Sequence, residues 1–438
     1  SLPATAIRSP LGVFTADLFA AHLASLTAVP AWWLERKRAA YTTFASLPFP
    51  QRTDEAWRFS NLTTLSLDGV ALLPMARAAI SPLPLETAAT LTFVNNTLAG
   101  QSALSPDLIA QGVRVMTIAE ATQKHPDLLR AHFMAQPQKL GSEKFASLHT
   151  AFLHDGAFIY IPRGIELAAP IMVTHVAAGG GAAVFPHTLV IAEENSKATV
   201  VDYFVSVDSA AGQPQLVIGA NDLYAGHGAK LTYVGAQNWS RETLSFHFNA
   251  TVARRDARVQ SLNLHLGGRQ ARHESLSQLQ APGAFSEMLA LTVADDRQEF
   301  DQRTLQIHQA PNTKSDLLYK NALRDQARTI FSGLIVVDPD AQKTDAYQSN
   351  RNLMLSEEAE ASSLPGLEIQ ANDVRCTHGA TSSRIDPEQE FYLQSRGIAK
   401  DAADKLLTFG FFEEVLSRLE SEPLHDALRN LIEGQFGK

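Results

Sequence analysis

Gly228-Ala229-Lys230-Leu231-Thr232-Tyr233-Val234 reads as a turn residue, an alanine and then a strand. Apolar and polar residues alternate after a glycine, the pattern of a half-buried strand. The same order of small or acidic residue, alanine and strand returns at Asp256-Ala257-Arg258-Val259 and Gly283-Ala284-Phe285-Ser286. The alanines are 28 and 27 residues apart (257 − 229 and 284 − 257). Gln326-Ala327-Arg328-Thr329 follows 43 later (327 − 284), so the repeat is degenerate. Periods in this range mark stacked units that bury their faces on one another. Outward from this stretch, residues 150 to 385 carry many such runs, among them Ala157–Ile161, Thr199–Phe204 and Leu334–Val337. A β-helix and a large sandwich both fit. So long a series of short strands without a helical break favours the β-helix.

The flanks have another texture. Residues 1 to 80 read as helical, broken at Leu47-Pro48-Phe49-Pro50, with Pro82 and Pro84 marking a boundary. Residues 85 to 150 are mixed, with a strand at Leu91–Val94 and a helix near Pro126 to Phe133. Beyond the strands, Asp386-Pro387-Glu388-Gln389-Glu390 is a helix start, and Gly397 is its stop. A second helix runs from about Ala399, and Phe412, Val415, Leu416 and Leu419 form one apolar stripe. Leu424, Leu428, Leu431 and Ile432 repeat the spacing in a third. By spacing alone, these stripes pack on the chain's own body or in a partner's groove. The expected divisions are 1–150, 151–385 and 386–438.

Bulk properties exclude several classes. Hydrophobic residues make up 45%, enough for a sizeable core, and the formal net charge is −9 without a basic run, which excludes a nucleic-acid footprint. One cysteine rules out a disulfide framework and suits a reducing compartment. There is no apolar stretch of membrane-spanning length, and Ser1–Thr5 lacks the features of a signal peptide. A soluble cytoplasmic protein is expected, with a plastid stroma also compatible. No P-loop, H-E-x-x-H or G-x-S-x-G occurs, and the 14 histidines have no zinc-like spacing. The polar, Gly-hinged stretch His265–His273 reads as a solvated turn, with anion binding as the alternative.

The lone thiol, Cys376, sits two residues from a histidine in Asn372-Asp373-Val374-Arg375-Cys376-Thr377-His378-Gly379. On a strand, positions i and i+2 share a face, so a soft sulfur and an imidazole leave the surface together. Iron–sulfur clusters usually take four protein ligands, mostly thiolates. This chain does not enclose one alone, and any metal chemistry here is shared with another subunit. A buried, inert cysteine beside a strand-end histidine fits the same spacing.

Ala371–Thr381, Arg384-Ile385-Asp386 and Phe391-Tyr392-Leu393-Gln394-Ser395-Arg396-Gly397-Ile398 together resemble the carboxyl-terminal core of the SufB/SufD family of iron–sulfur cluster assembly scaffolds. Asp155–Gly164, His265–Arg269 and Asp54-Glu55-Ala56-Trp57-Arg58-Phe59-Ser60 extend the resemblance over nearly the whole chain. The Cys-x-His-Gly-Ala-Thr form looks like the SufD branch. SufB typically has His-Glu-Ala-Thr there, and a cysteine where Leu393 stands.

The resemblance implies a mainly β fold, a right-handed parallel β-helix flanked by N-terminal and C-terminal α-helical domains. It implies a non-catalytic subunit in a complex with SufB and two copies of the ATPase SufC. The isolated chain would hold no tightly bound cofactor, and a transient cluster would be shared with SufB. A flavin in the complex is compatible with this. By position, His378 matches the family histidine at the SufB–SufD interface and is the favoured cluster ligand, with Cys376 second. The helices after Ile398 match the SufC-docking region, so Arg396, Gly397, Ile398, Phe409, Phe412, Val415 and Leu416 are expected docking residues. The rivals are a SufB-like primary scaffold, a polysaccharide-active β-helix protein and a structural adaptor without metal contact. Edge pairing into a homodimer is open to the isolated chain.

Overall fold

A computed structural model describes residues 9–436; Ser1–Thr5 lies outside them. Two parallel sheets face each other, and the chain visits them in turn. The first holds strands Ile171–Ala178, Lys197–Val207, Lys230–Asn238, Arg258–His265, Phe285–Ala294, Lys314–Leu323, Asp345–Met354 and Arg375–Arg384. The second runs through Ala157–Ile161, His187–Ala192, Gln215–Ala225, Thr243–Ala253, Gln270–Leu279, Glu299–His308, Arg328–Val337 and Glu360–Ile369. The expected β-helix is borne out as a parallel solenoid of about eight coils with helices at both flanks.

The alanine echo is the corner of each coil. Gly228, Asp256 and Gly283 turn with φ of +67°, +53° and +78°. The alanine after each is buried, and the strand that follows stacks in register with its neighbours. A left-handed turn residue, then a side chain small enough for the corner, is what the geometry asks. At the next two corners Thr313 and Thr344 take the alanine's place, each bonding its hydroxyl to a backbone carbonyl. Ala327 precedes a strand of the opposite sheet. The interval of 43 is therefore one coil and a half, not a failed repeat.

Helical layers cover both outer faces. On the second sheet, helices Ala16–Ser25, Ala31–Ser46 and Glu143–Phe152, with Phe14 just ahead of the first, bury Trp33, Phe44 and Phe145 against Ile218, Phe246 and Phe248. Two of these helices cap each other. Lys37 donates to the carbonyls of Thr150 and Ala151, and Lys144 donates to those of Phe44 and Leu47. The unpaired carbonyls at each helix end thus meet a cation. Burial pulls the Lys37 ammonium down to about 7. On the first sheet, helices Lys400–Leu416 and Glu422–Phe436 bury their stripes against Leu262, Leu264, Leu289 and Leu291. Residues 58–88 hold no helix, although the sequence reads as helical to 80; this stretch is strapped along the solenoid, with Ala71 bridged to Ala182.

Candidate functional site

Both sheets stop at the carboxyl end of the solenoid. Among the described residues, Arg375–Arg384 pairs with Asp345–Met354 alone, and Glu360–Ile369 with Arg328–Val337 alone. The last coil therefore presents two unpaired strand edges. The Arg375 N–H points inward to the Thr344 carbonyl. Register with the neighbouring strand is unbroken, so alternation turns the N–H groups of Cys376, His378 and Ala380 outward from the edge.

Cys376 and His378 share the lumen-facing side of that strand, as the i, i+2 rule requires. Their surroundings differ. Cys376 is half-buried among Ile335, Val337, Ala346 and Ala371. Burial, with Asp345 adding to it, pushes its thiol above the ordinary range, so the sulfur is protonated and weakly nucleophilic at neutral pH. His378 is exposed at the mouth of the coil. Among the described residues no three His, Cys, Asp or Glu side chains gather as a metal set, so a metal at this mouth takes further donors from elsewhere.

The carboxyl-terminal helices begin as expected. Asp386 caps Pro387–Ser395 by accepting from the Glu388 N–H, and Gly397 ends it at φ +85°. The expected docking residues need correction. Phe409, Phe412, Val415 and Leu416 are buried in the chain's own core against the first sheet, where apolar area is removed from water without a partner. The open surface lies elsewhere, on Phe391 and Tyr392, 72% and 55% exposed, and on Leu406. Arg396 lies over the Tyr392 ring, placing it on this open surface. Arg396, Gly397 and Ile398 form the turn between this helix and the next.

Comparison with known proteins places this architecture. Residues 175–411 match the model of the SUF-system FeS cluster assembly SufBD core domain, and 15–173 match the SufBD protein N-terminal region. The chain belongs to the SufBD family. It is 29% identical to the iron–sulfur cluster assembly protein SufD of Bacillus subtilis, over 92% of this chain and 94% of that protein. It is 31% identical to SufD of Escherichia coli, over 86% of each. SufB of Bacillus subtilis is 24% identical over 93% of this chain and 91% of its own. The chain is thus SufD-like, and Cys376 and His378 lie within the matched SufBD core.

Two SufBD-family stretches do other work than the sequence suggests. His265–His273 is not a solvated turn. Both ends are buried strand, and His265 stacks on His273 inside the lumen with ring centroids 3.8 Å apart. Burial holds His265 neutral, its pKa drawn down to about 3. From His265 a ladder of buried side chains runs along the lumen through Gln302, Asn321 and Asn352 to Ser382 of the last coil. Arg272, in the same stretch, faces the other way and fastens the amino-terminal layer. It bonds Glu274 at 2.9 Å and Asp301 at 2.7 Å, and donates to the carbonyls of Ala56 and Leu140. The Trp57 ring covers its guanidinium at 3.8 Å. Ser60 completes the clamp on Asp301. Burial pushes the Asp301 carboxyl up, but Arg272 and Arg303 beside it hold it below the usual range. The Asp54–Ser60 motif is therefore a structural latch. No local signal foretells this, because Trp57 and Arg272 meet only through the fold.

Proposed function

We propose that this chain is the SufD-like subunit of a SUF scaffold, joining SufB at the open coil and SufC at the carboxyl-terminal helices, with a nascent iron–sulfur cluster assembling against His378. The observation that carries the reading is the place of His378. It lies exposed on an edge strand, at the mouth of the lumen, on a coil with no strand beyond it among the described residues. A strand from SufB would complete that edge by main-chain hydrogen bonds. His378 would give iron a neutral imidazole lone pair while SufB gives thiolate, a mixed donor set that suits a cluster meant to be passed on. The isolated chain would use the same edge to pair with a second copy.

The exposed aromatics Phe391 and Tyr392 support docking of SufC beside them. A pull on helix Lys400–Leu416 would reach the site through Glu414. That carboxylate bonds Lys320 at 2.5 Å and Arg351 at 3.0 Å, and Arg351 stands on the strand next to that of His378. ATP-driven closure of SufC would thus reshape the SufB-facing coil.

The test is to mix the chain with SufB and SufC and read mass by light scattering, then to reconstitute the complex with iron and sulfide. A one-to-two-to-one assembly of SufB, SufC and this chain is expected, with His378→Ala leaving the assembly intact and cutting cluster yield. A chain that stays alone overturns the reading. Full cluster yield from the His378→Ala complex overturns the ligand role.

A further inference from the structure

One lumen side chain is left half-used at the site itself. Gln348 stands directly beside His378 in the register of the last two coils, on the same lumen-facing column. It is fully buried. Its Nε2 donates to the Gly333 carbonyl across the lumen at 3.3 Å, which assigns the other end of the amide to oxygen. That Oε1 has no hydrogen-bond partner among the described residues. Gly333 makes the room for it, since a Cβ there would lie 2.6 Å from Oε1.

Gln306, a coil further in, shares this vacancy, but the asparagines around Gln348 do not. The oxygen of Asn321 accepts from Gln302, that of Asn350 from Ser363, and that of Asn352 from Asn321. A buried acceptor left unpaired is costly, and native structures keep few. Adjacent strands lie roughly 4.8 Å apart, so a ring N–H of His378 is within reach of Oε1 by side-chain rotation.

We propose that Gln348 is a positioning residue for His378: its Oε1 accepts one ring N–H, which fixes the tautomer and leaves the other nitrogen's lone pair turned out of the coil toward iron. This rests on the reading of His378 as a cluster ligand. Histidines that bind metals commonly donate the second ring N–H to a carbonyl or carboxylate, and losing that partner costs about 10–100-fold in metal affinity or activity.

The test uses the full chain with 15N-labelled histidine and, in parallel, its complex with SufB and SufC. The wild-type His378 signal should report one dominant tautomer by 15N NMR. Gln348→Met, similar in length but with no acceptor oxygen, should move it toward the mixture of a free imidazole and lower cluster yield about tenfold. Gln348→Glu, which keeps an acceptor, should restore both. Gln348→Met also gives up the Nε2 bond to the Gly333 carbonyl, so thermal stability is measured in parallel and must remain high enough for the folded complex to assemble. An unchanged tautomer with full yield in Gln348→Met, where His378→Ala does lose yield, overturns the positioning role and leaves the ligand reading standing. Full yield in His378→Ala overturns both.

Discussion

At its amino end each sheet closes on a short antiparallel strand, Thr97–Ser102 on the first and Arg114–Thr117 on the second. At its carboxyl end both sheets stop on parallel strands ten residues long, Glu360–Ile369 and Arg375–Arg384, each with one neighbour among the described residues. Proteins blunt sheet edges with short strands, turns and covering segments, because an open edge templates pairing. This chain blunts one end and leaves the other long and regular. The lumen is mixed at both ends. Near the amino end Leu91, Phe93, Ile159 and Val173 surround a buried network in which His175, Thr188 and Tyr233 bond Asp202, and toward the open end Asn321, Asn350 and Asn352 lie beside Ile335 and Val337. The contrast between the ends therefore rests on the strand edges.

Four measurements break or sharpen that contrast, in descending order of effect on stability. Arg272→Ala, at the latched side, leaves buried Glu274 without its cation, leaves Asp301 to Arg303 and Ser60, and uncovers Trp57. It should cost about 3–5 kcal/mol in chemical denaturation. A cost below about 1 kcal/mol would mean that the latch does not hold the layer.

Acid should then find the lumen between the ends. Burial draws the pKa of His247 and His265 down to about 3 and that of His308 to about 4. The unfolded value lies near 6.5, so below it the unfolded chain binds protons that the folded one refuses. Stability from these groups is complete above about pH 6.5 and is lost as pH falls toward the folded values. Each histidine contributes about 1.4 kcal/mol per pH unit over that window. Denaturant midpoints at pH 7 and pH 5 should differ accordingly, and a flat profile would place these rings in contact with water.

Ala380→Pro removes an outward-facing backbone donor of the edge without touching the ladder inside. Stability should change by less than about 1 kcal/mol while association with SufB is lost in light scattering. Retained association would remove the edge from the interface. Last, His378→Ala should alter stability by less than about 0.5 kcal/mol, as for an exposed side chain, even though cluster yield falls. Loss of folding in that variant would make His378 a structural residue.

Much of this was legible beforehand. Strand alternation, the corner alanines, the Asp386 cap and the Gly397 stop are local, each decided by a few adjacent residues. Cys376 and His378 sharing a face follows from the same period of two. The misreadings lie where partners are a coil away. The resemblance puts Phe412 and Leu416 in a docking region, yet the first sheet beneath them supplies the apolar surface. His265–His273 has a loop's composition, yet its charges are answered by Ser60, Glu274 and Asp301.

The sequence by itself determined the solenoid, its helical flanks and the Cys376–His378 pair, because backbone periodicity and turn chemistry act over a handful of residues. Only the tertiary structure decided which faces are covered, which end stays open and that Gln348 lies under His378. Those follow from register between strands about thirty residues apart, where each side chain meets a neighbour that no local pattern names.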